Sequence, residues 1–209
     1  MLLLVRVRTG THGGSIPVTA RAIIATMSRL WGEVRQLGFV VRDLDAAVRY
    51  WTQHLGVGPF FRADELQPVD YRFRGKAAPP PVMSLALANS GGLQLELIQQ
   101  HNDAPSGYLE LLAAGREGLH HVCAWATPDE YDARRAAMID AGMVAVHEGR
   151  IPGRDVRFVY FATDEPGGLQ FELADQRRPG AYEVQQRIAT AAVGWDGSNP
   201  IRKISDLVD

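Results

Sequence analysis

The chain has 209 residues, a hydrophobic fraction of 46%, a charged fraction of 22% and a formal net charge of −2. It is long and apolar enough to bury a substantial core, which excludes a disordered chain, and its near-neutral charge without a basic run gives no electrostatic reason to expect nucleic acid. The apolar stretches are far too short to span a membrane, and Cys123, the single cysteine, excludes an intrachain disulfide and a cysteine zinc cluster. A cytoplasmic protein is expected, with neither nucleic acid nor membrane as partner.

Residues 1–32 carry no acidic residue and no clear periodicity, and "MLLLV" is cut short by Arg6, too early for a signal-peptide core. This stretch is set aside as an N-terminal extension, with Met27 a plausible second start. From 33 onward the pattern becomes regular. "QLGFVV" alternates as a strand, after which Leu44, Ala47, Val48, Trp51 and Leu55 fall at helical spacing and Gly56 suits the C-terminal cap. Strand signals follow at 59–63, 82–89 and 92–99, with "LQPVDYRFRGKAAPPP" (66–81) as a loop.

The same order then returns. "HVCAWA" is a strand, Thr127 caps a helix with Pro128 in its first turn, and Tyr131, Ala137, Met138 and Ala141 precede Gly142. Strands follow at 143–151, 156–162 and 169–173. The phrase "GGLQLEL" at 91–97 reappears as "GGLQFEL" at 167–173. The sequence therefore predicts an α+β fold of two βαβββ modules, 33–113 and 114–175, and a C-terminal helix and tail at 176–209. One helix covers only one face of a four-stranded sheet, so the modules must pair around a shared cavity, within one chain or across a homodimer.

Alternation along the strands assigns the faces. Leu93, Leu95 and Leu97 face the first helix, leaving Gln94 and Glu96 toward the cavity. Leu169, Phe171 and Leu173 face the second, leaving Gln170 and Glu172. Gln36, Gly38 and Val40 share one face of the first strand; His121, Cys123 and Trp125 share one face of its counterpart. Pseudo-twofold symmetry then equates Gln36 with His121 and Glu96 with Glu172. Two carboxylates facing a closed cavity are costly unless a cation lies between them, so Gln36, Glu96, His121 and Glu172 are the expected ligands of a divalent metal. His120 points to the helix side and is expected to be structural.

The segments "QLGFVVRDLDAAVRYWTQHLGVGPF", "GGLQLELIQ", "GLHHV" and "DEPGGLQFEL" resemble the vicinal oxygen chelate superfamily, which includes glyoxalase I, methylmalonyl-CoA epimerase, extradiol dioxygenases and bleomycin-resistance proteins. The resemblance covers about residues 33–175 and implies a metal cavity built from paired βαβββ modules. Gln36, Glu96, His121 and Glu172 match the Gln/Glu/His/Glu set of glyoxalase I, and the epimerases are close relatives of that branch. Extradiol dioxygenases would need a histidine at position 36. Val40 stands where glutathione-using glyoxalases carry arginine, and Glu65 is the nearest acid to the second epimerase carboxylate.

The resemblance implies a lyase, isomerase or epimerase that moves a proton next to a carbonyl through a metal-stabilised enediolate, with Glu172 as base and Glu96 as its partner. Zinc is the expected ion, with nickel, cobalt, manganese and magnesium as alternatives, and the partner is a small-molecule carbonyl substrate. The alternatives are a non-catalytic protein that sequesters a small molecule and, third, a dioxygenase. Trp125, Tyr71, Phe73, Phe60 and Phe61 are candidates for an apolar wall, and Arg72, Arg74 and Arg157 for holding an acidic group.

Overall fold

The computed structural model describes residue 28 and residues 30–162 and 168–208. Most of the expected N-terminal extension, with Met27, lies outside the described residues, as does Gly167 of the second repeated phrase.

The first module opens with strand β1 (Val34–Val40) and helix α1 (Leu44–Gln53). Asp43 starts that helix, its carboxylate accepting from the Ala46 amide at 2.9 Å. Leu44 and Val48 are buried with Phe60, Ala86 and Leu97, and Ala47 and Trp51 pack beside them. The helix stops before Leu55, which is exposed. Strands β2 (Phe60–Leu66), β3 (Val69–Phe73), β4 (Lys76–Ala77), β5 (Met83–Ser90) and β6 (Leu93–Gln100) complete the half. A short helix α2 (Gly107–Ala113), capped by Ser106, links it to the second.

The second module repeats the plan with β7 (Gly118–Trp125), α3 (Pro128–Asp140), β8 (Ala145–Ile151), β9 (Val156–Phe161) and β10 (Gln170–Ala174). Thr127 and Glu130 form a reciprocal capping box at the start of α3. Helix α4 (Ala181–Ala192), strand β11 (Ile201–Lys203) and a 3₁₀ turn (Ile204–Leu207) form the tail. Among the described residues, no helix is long and apolar enough to cross a membrane.

All these strands join one sheet in the order β11-β2-β5-β6-β1-β7-β10-β9-β8-β3-β4. At its centre β1 and β7 run antiparallel, and each is flanked by the parallel last strand of its own module, β6 or β10. The pseudo-twofold axis therefore passes between β1 and β7, and the cavity forms within a single chain. Segment 66–81, expected as a loop, instead carries β3 and β4. Pro68, Gly75 and the prolines at 79–81 read locally as turn chemistry, but the open edge of β8 supplies hydrogen-bond partners to β3 from the other module.

The two helices cover opposite ends of the outer face, and the largest apolar cluster lies on the inner face. It joins Val40, Ile98, Cys123 and Trp125 of the central strands to Val184 and Ile188 of α4. Trp31, from the segment set aside as an extension, is buried with Leu173 and Phe161. Its ring meets Phe171 edge-on at 5.4 Å, and its indole nitrogen donates to the backbone carbonyl of Glu172 at 2.7 Å. Trp31→Ala should therefore cost about 3–5 kcal/mol in a denaturant titration, the scale for removing a buried aromatic. Trp31→Phe, which keeps an aromatic ring but loses the hydrogen bond and part of the buried surface, should cost less, about 1–3 kcal/mol.

Candidate metal centre

The strand register sets two adjacent rungs across the middle of the sheet. One runs Glu96–Gly38–His121–Gln170 and the other Gln94–Gln36–Cys123–Glu172. Each is the image of the other under the pseudo-twofold, so the correspondence of Gln36 with His121 and of Glu96 with Glu172 follows from the pairing. Gly38 is where the two halves must differ in size. A Cβ there would lie 1.7 Å from His121 Cε1 and 2.1 Å from Nε2. Only glycine lets the imidazole lie across β1 toward Glu96.

The ring then sits between two carboxylates. His121 Nε2 is 3.3 Å from Glu96 Oε2 and 3.2 Å from Glu172 Oε2. One donor atom from each of the three residues lies within 4.8 Å of the others. Nε2 of His121 and Oε2 of Glu172 are buried and have no partner outside this cluster. Such converged atoms fit a metal ion: a nitrogen and two carboxylate oxygens are a donor set suited to divalent ions.

Burial pushes the His121 pKa down, but Glu172 and Glu96 outweigh it and hold the ring up at about 9. Burial also raises Glu96, against the pull of His121. Without metal, a charged imidazole is what compensates the carboxylates.

Gln36 is buried beside this group and lines the same cavity as Glu96 and Glu172. Its amide nitrogen donates to Gln94 at 2.8 Å, Gln94 donates to Gln185 of α4 at 2.6 Å, and Gln185 donates to Gln176 at 3.1 Å. This one-way chain of amides leaves the Gln36 carbonyl oxygen as its free donor atom.

Behind His121 lies a second histidine. His120 Nδ1 is 3.1 Å from His121 Nδ1, so one nitrogen donates and the other accepts. Burial, then the charge on His121, pushes His120 well below its ordinary pKa. With Nε2 of His121 facing the carboxylates, the Nδ1 proton of His121 goes to a neutral His120. His120 thus touches the cluster through a hydrogen bond, a contact that its helix-side position in the alternation conceals.

The cavity is about 230 Å³. Its walls include Leu85, Leu87, Ile98, Tyr108, Phe158 and Tyr160. None of the five aromatics expected there, Trp125, Tyr71, Phe73, Phe60 and Phe61, is among its lining residues; Phe60 packs under α1 and the others support the inner face from behind. Tyr108 donates to the Tyr160 hydroxyl at 3.1 Å, and burial together with the glutamates pushes both phenols well above their ordinary pKa. Alternation along "VRFVYF" could have exposed Phe158 and Tyr160; Tyr108, on a linker helix, carries no such signal.

The candidate anion holders fare differently as well. Arg74 pairs with Glu110 at 2.7 Å, Arg157 with Asp132 and Asp175 at 2.8 Å each, and Arg72 donates to the Gly75 carbonyl. Glu65 is exposed, away from the cavity.

A family model described as the glyoxalase/bleomycin resistance protein/dioxygenase superfamily matches residues 35–161. No curated protein matches the sequence. Among solved structures, methylmalonyl-CoA epimerase from Mycobacterium tuberculosis is similar at 18% identity and a TM-score of 0.48, over 72% of this chain and 90% of that one. Methylmalonyl-CoA epimerase from Streptomyces coelicolor, in complex with 2-nitronate-propionyl-CoA, is similar at 21% identity and a TM-score of 0.44, over 68% and 94%.

Gly38→Ala should destabilise the protein by about 1–3 kcal/mol, the scale of overpacking. It should also move the His121 ring, seen as a shift of its Cε1 proton resonance. A second expectation concerns acid. Tyr71 donates to the Pro105 carbonyl at 2.8 Å, so the Nδ1–H of His147, 3.2 Å from that hydroxyl, donates to it. Burial, then the charge on His121, lowers His147 from 6.5 to about 3. Between those values the unfolded chain binds the proton and the folded protein does not. The share of stability that depends on His147 should be full above the upper value and fall by about 1.4 kcal/mol per pH unit below it, beside an effect of the same sign from His120. Urea midpoints across that window should show the slope, and His147→Gln should make it shallower by about that amount while the His120 share remains.

Proposed function

As the chain belongs to the glyoxalase/bleomycin resistance protein/dioxygenase superfamily, we propose that it is a metal-dependent enzyme moving a proton next to a carbonyl, an isomerase, epimerase or lyase. The observation that carries this reading is the Glu96–His121–Glu172 cluster, whose donor atoms converge at an apolar cavity with no partner for His121 Nε2 and Glu172 Oε2 outside the cluster. Those three side chains and the Gln36 carbonyl oxygen would hold the ion, with zinc as the first choice. A divalent ion there supplies Lewis acidity, polarising a substrate carbonyl and acidifying the neighbouring C–H.

The protein's own groups do the rest. Glu172 takes the proton, since its Oε2 is buried with no partner but His121 and the residue lines the cavity. Glu96, raised by burial, is suited to carry a proton on the return. Tyr108 and Tyr160 keep their phenolic protons; that of Tyr108 is given to the Tyr160 hydroxyl, which leaves the Tyr160 proton as the donor on the wall for a substrate oxygen. The apolar lining excludes water, which strengthens each of these interactions. His120 holds the His121 ring through Nδ1, keeping Nε2 directed at the carboxylates. One His and two Glu differ from the two-His set of oxygen-activating iron sites, so oxygen chemistry is not part of this reading.

Purified protein should hold about one divalent ion per chain after dialysis, by atomic absorption. In deuterated water it should exchange the α-proton of one member of a panel of carbonyl compounds, by proton NMR. Glu172→Gln should keep the metal and slow exchange by about a hundredfold or more, the scale of a lost general base. Metal bound without exchange across the panel would favour a sequestering protein, and a protein that takes up no divalent ion would end the reading.

A further inference from the structure

Charged side chains crowd the hairpin between β8 and β9, and among the described residues nearly all are neutralised. Arg150 pairs with Asp70 and Asp155, Arg178 with Asp155 and Asp175, and Arg157 with Asp175 and Asp132. Arg154, at the tip of the same hairpin, is the exception. No described residue forms an ion pair or hydrogen bond with its guanidinium. It is half-buried, and burial is the sole influence on its pKa, which it lowers. The next residue, Asp155, sits at a φ of 56° and is turned to Arg150 and Arg178, its Oδ2 accepting from Arg178 at 2.7 Å.

Arg154 lines the cavity that holds Glu96 and Glu172, together with Ile151, Pro152 and Val156 from its own hairpin and Leu66 and Ile204 opposite. A guanidinium drawn into apolar surroundings loses hydration that only a counter-ion restores. The two glutamates are engaged with His121 at the other end. Tyr160 pairs with Glu172, and β9 runs from there back to Val156 beside the turn. At about 3.3 Å per residue the four steps to Val156 span roughly 13 Å, so the turn that carries Arg154 stands about that far or more from the carboxylate rung. Between the two ends the walls are Ile98, Phe158 and Leu85.

We propose that Arg154 is the anion-recognition residue of this cavity, and that the substrate carries its carbonyl and an acidic group at opposite ends of an apolar body. The placing of the carbonyl rests on the proposed reaction; the anion site does not. Carboxylate and phosphate are both matched by the planar guanidinium fork.

Isothermal titration of the full-length protein, both chelator-treated and zinc-loaded, with octanoate, octyl phosphate and 1-octanol tests this. At least one of the two anions should bind saturably in the chelator-treated protein and more tightly than the alcohol, and the tighter identifies the acid. Arg154→Gln should weaken that anion by about tenfold or more, the scale of a lost charged hydrogen bond. It should leave the alcohol and the zinc content unchanged, and Arg154→Lys should recover part of the loss. Equal anion affinity in Arg154→Gln, an alcohol bound as tightly as both anions, or no binding of either anion would overturn the proposal. Zinc content of the same samples reports separately on the metal: loss of zinc binding with the Arg154 effect intact would end the catalytic reading and leave the anion site standing.

Discussion

Two glutamates from different halves of the chain face one enclosed apolar cavity, and their mutual repulsion has to be answered by positive charge. In this fold the answer is the His121 imidazole, placed between Glu96 and Glu172 at 3.3 and 3.2 Å. Its position depends on a missing atom, since any Cβ at position 38 would occupy the space of the ring. The β1–β7 pairing, the glycine and the two strands carrying the glutamates are therefore one arrangement. Trp31 and His120 hold it from behind, one through the Glu172 backbone and the other through the second imidazole nitrogen.

The duplicated plan makes the carboxylates equivalent, but the cavity around them is not symmetric. Strands β3 and β4 leave the first module and extend the sheet beyond β8, with no counterpart from the second. Helix α4 closes another side, and its Gln185 receives the amide chain that begins at Gln36. Symmetry thus supplies the acid–base pair, while the additions to it determine what enters. Arg154, on the short β8–β9 turn whose counterpart in the first module is the long segment carrying β3 and β4, is the plainest case of that division.

The inner polar row was legible for a physical reason. Side chains alternate across a strand, so a glutamate two positions from a glutamine, between leucines that lie under a helix, has one place to point. The same rule placed Val40, Cys123 and Trp125 on the inner face, where they pack. It failed where partners are not sequence neighbours. The prolines and glycine of segment 66–81 describe local bends correctly, yet β3 is a strand because β8 offers it an edge. Arg72, Arg74 and Arg157 look no different in sequence from Arg154, and only pairing separates them.

The sequence by itself determined the α+β class, the doubled βαβββ plan and the inward faces of Gln36, Glu96, His121 and Glu172, because periodicity and repetition are properties of local order along the chain. Only the tertiary structure decided that the cavity closes within one chain, that His120 is bonded to His121, that Tyr108 joins the wall, and that Arg154 has no partner among the described residues. Each of these depends on where strands, rings and side chains lie in three dimensions, and neither alternation nor helical spacing encodes that placement.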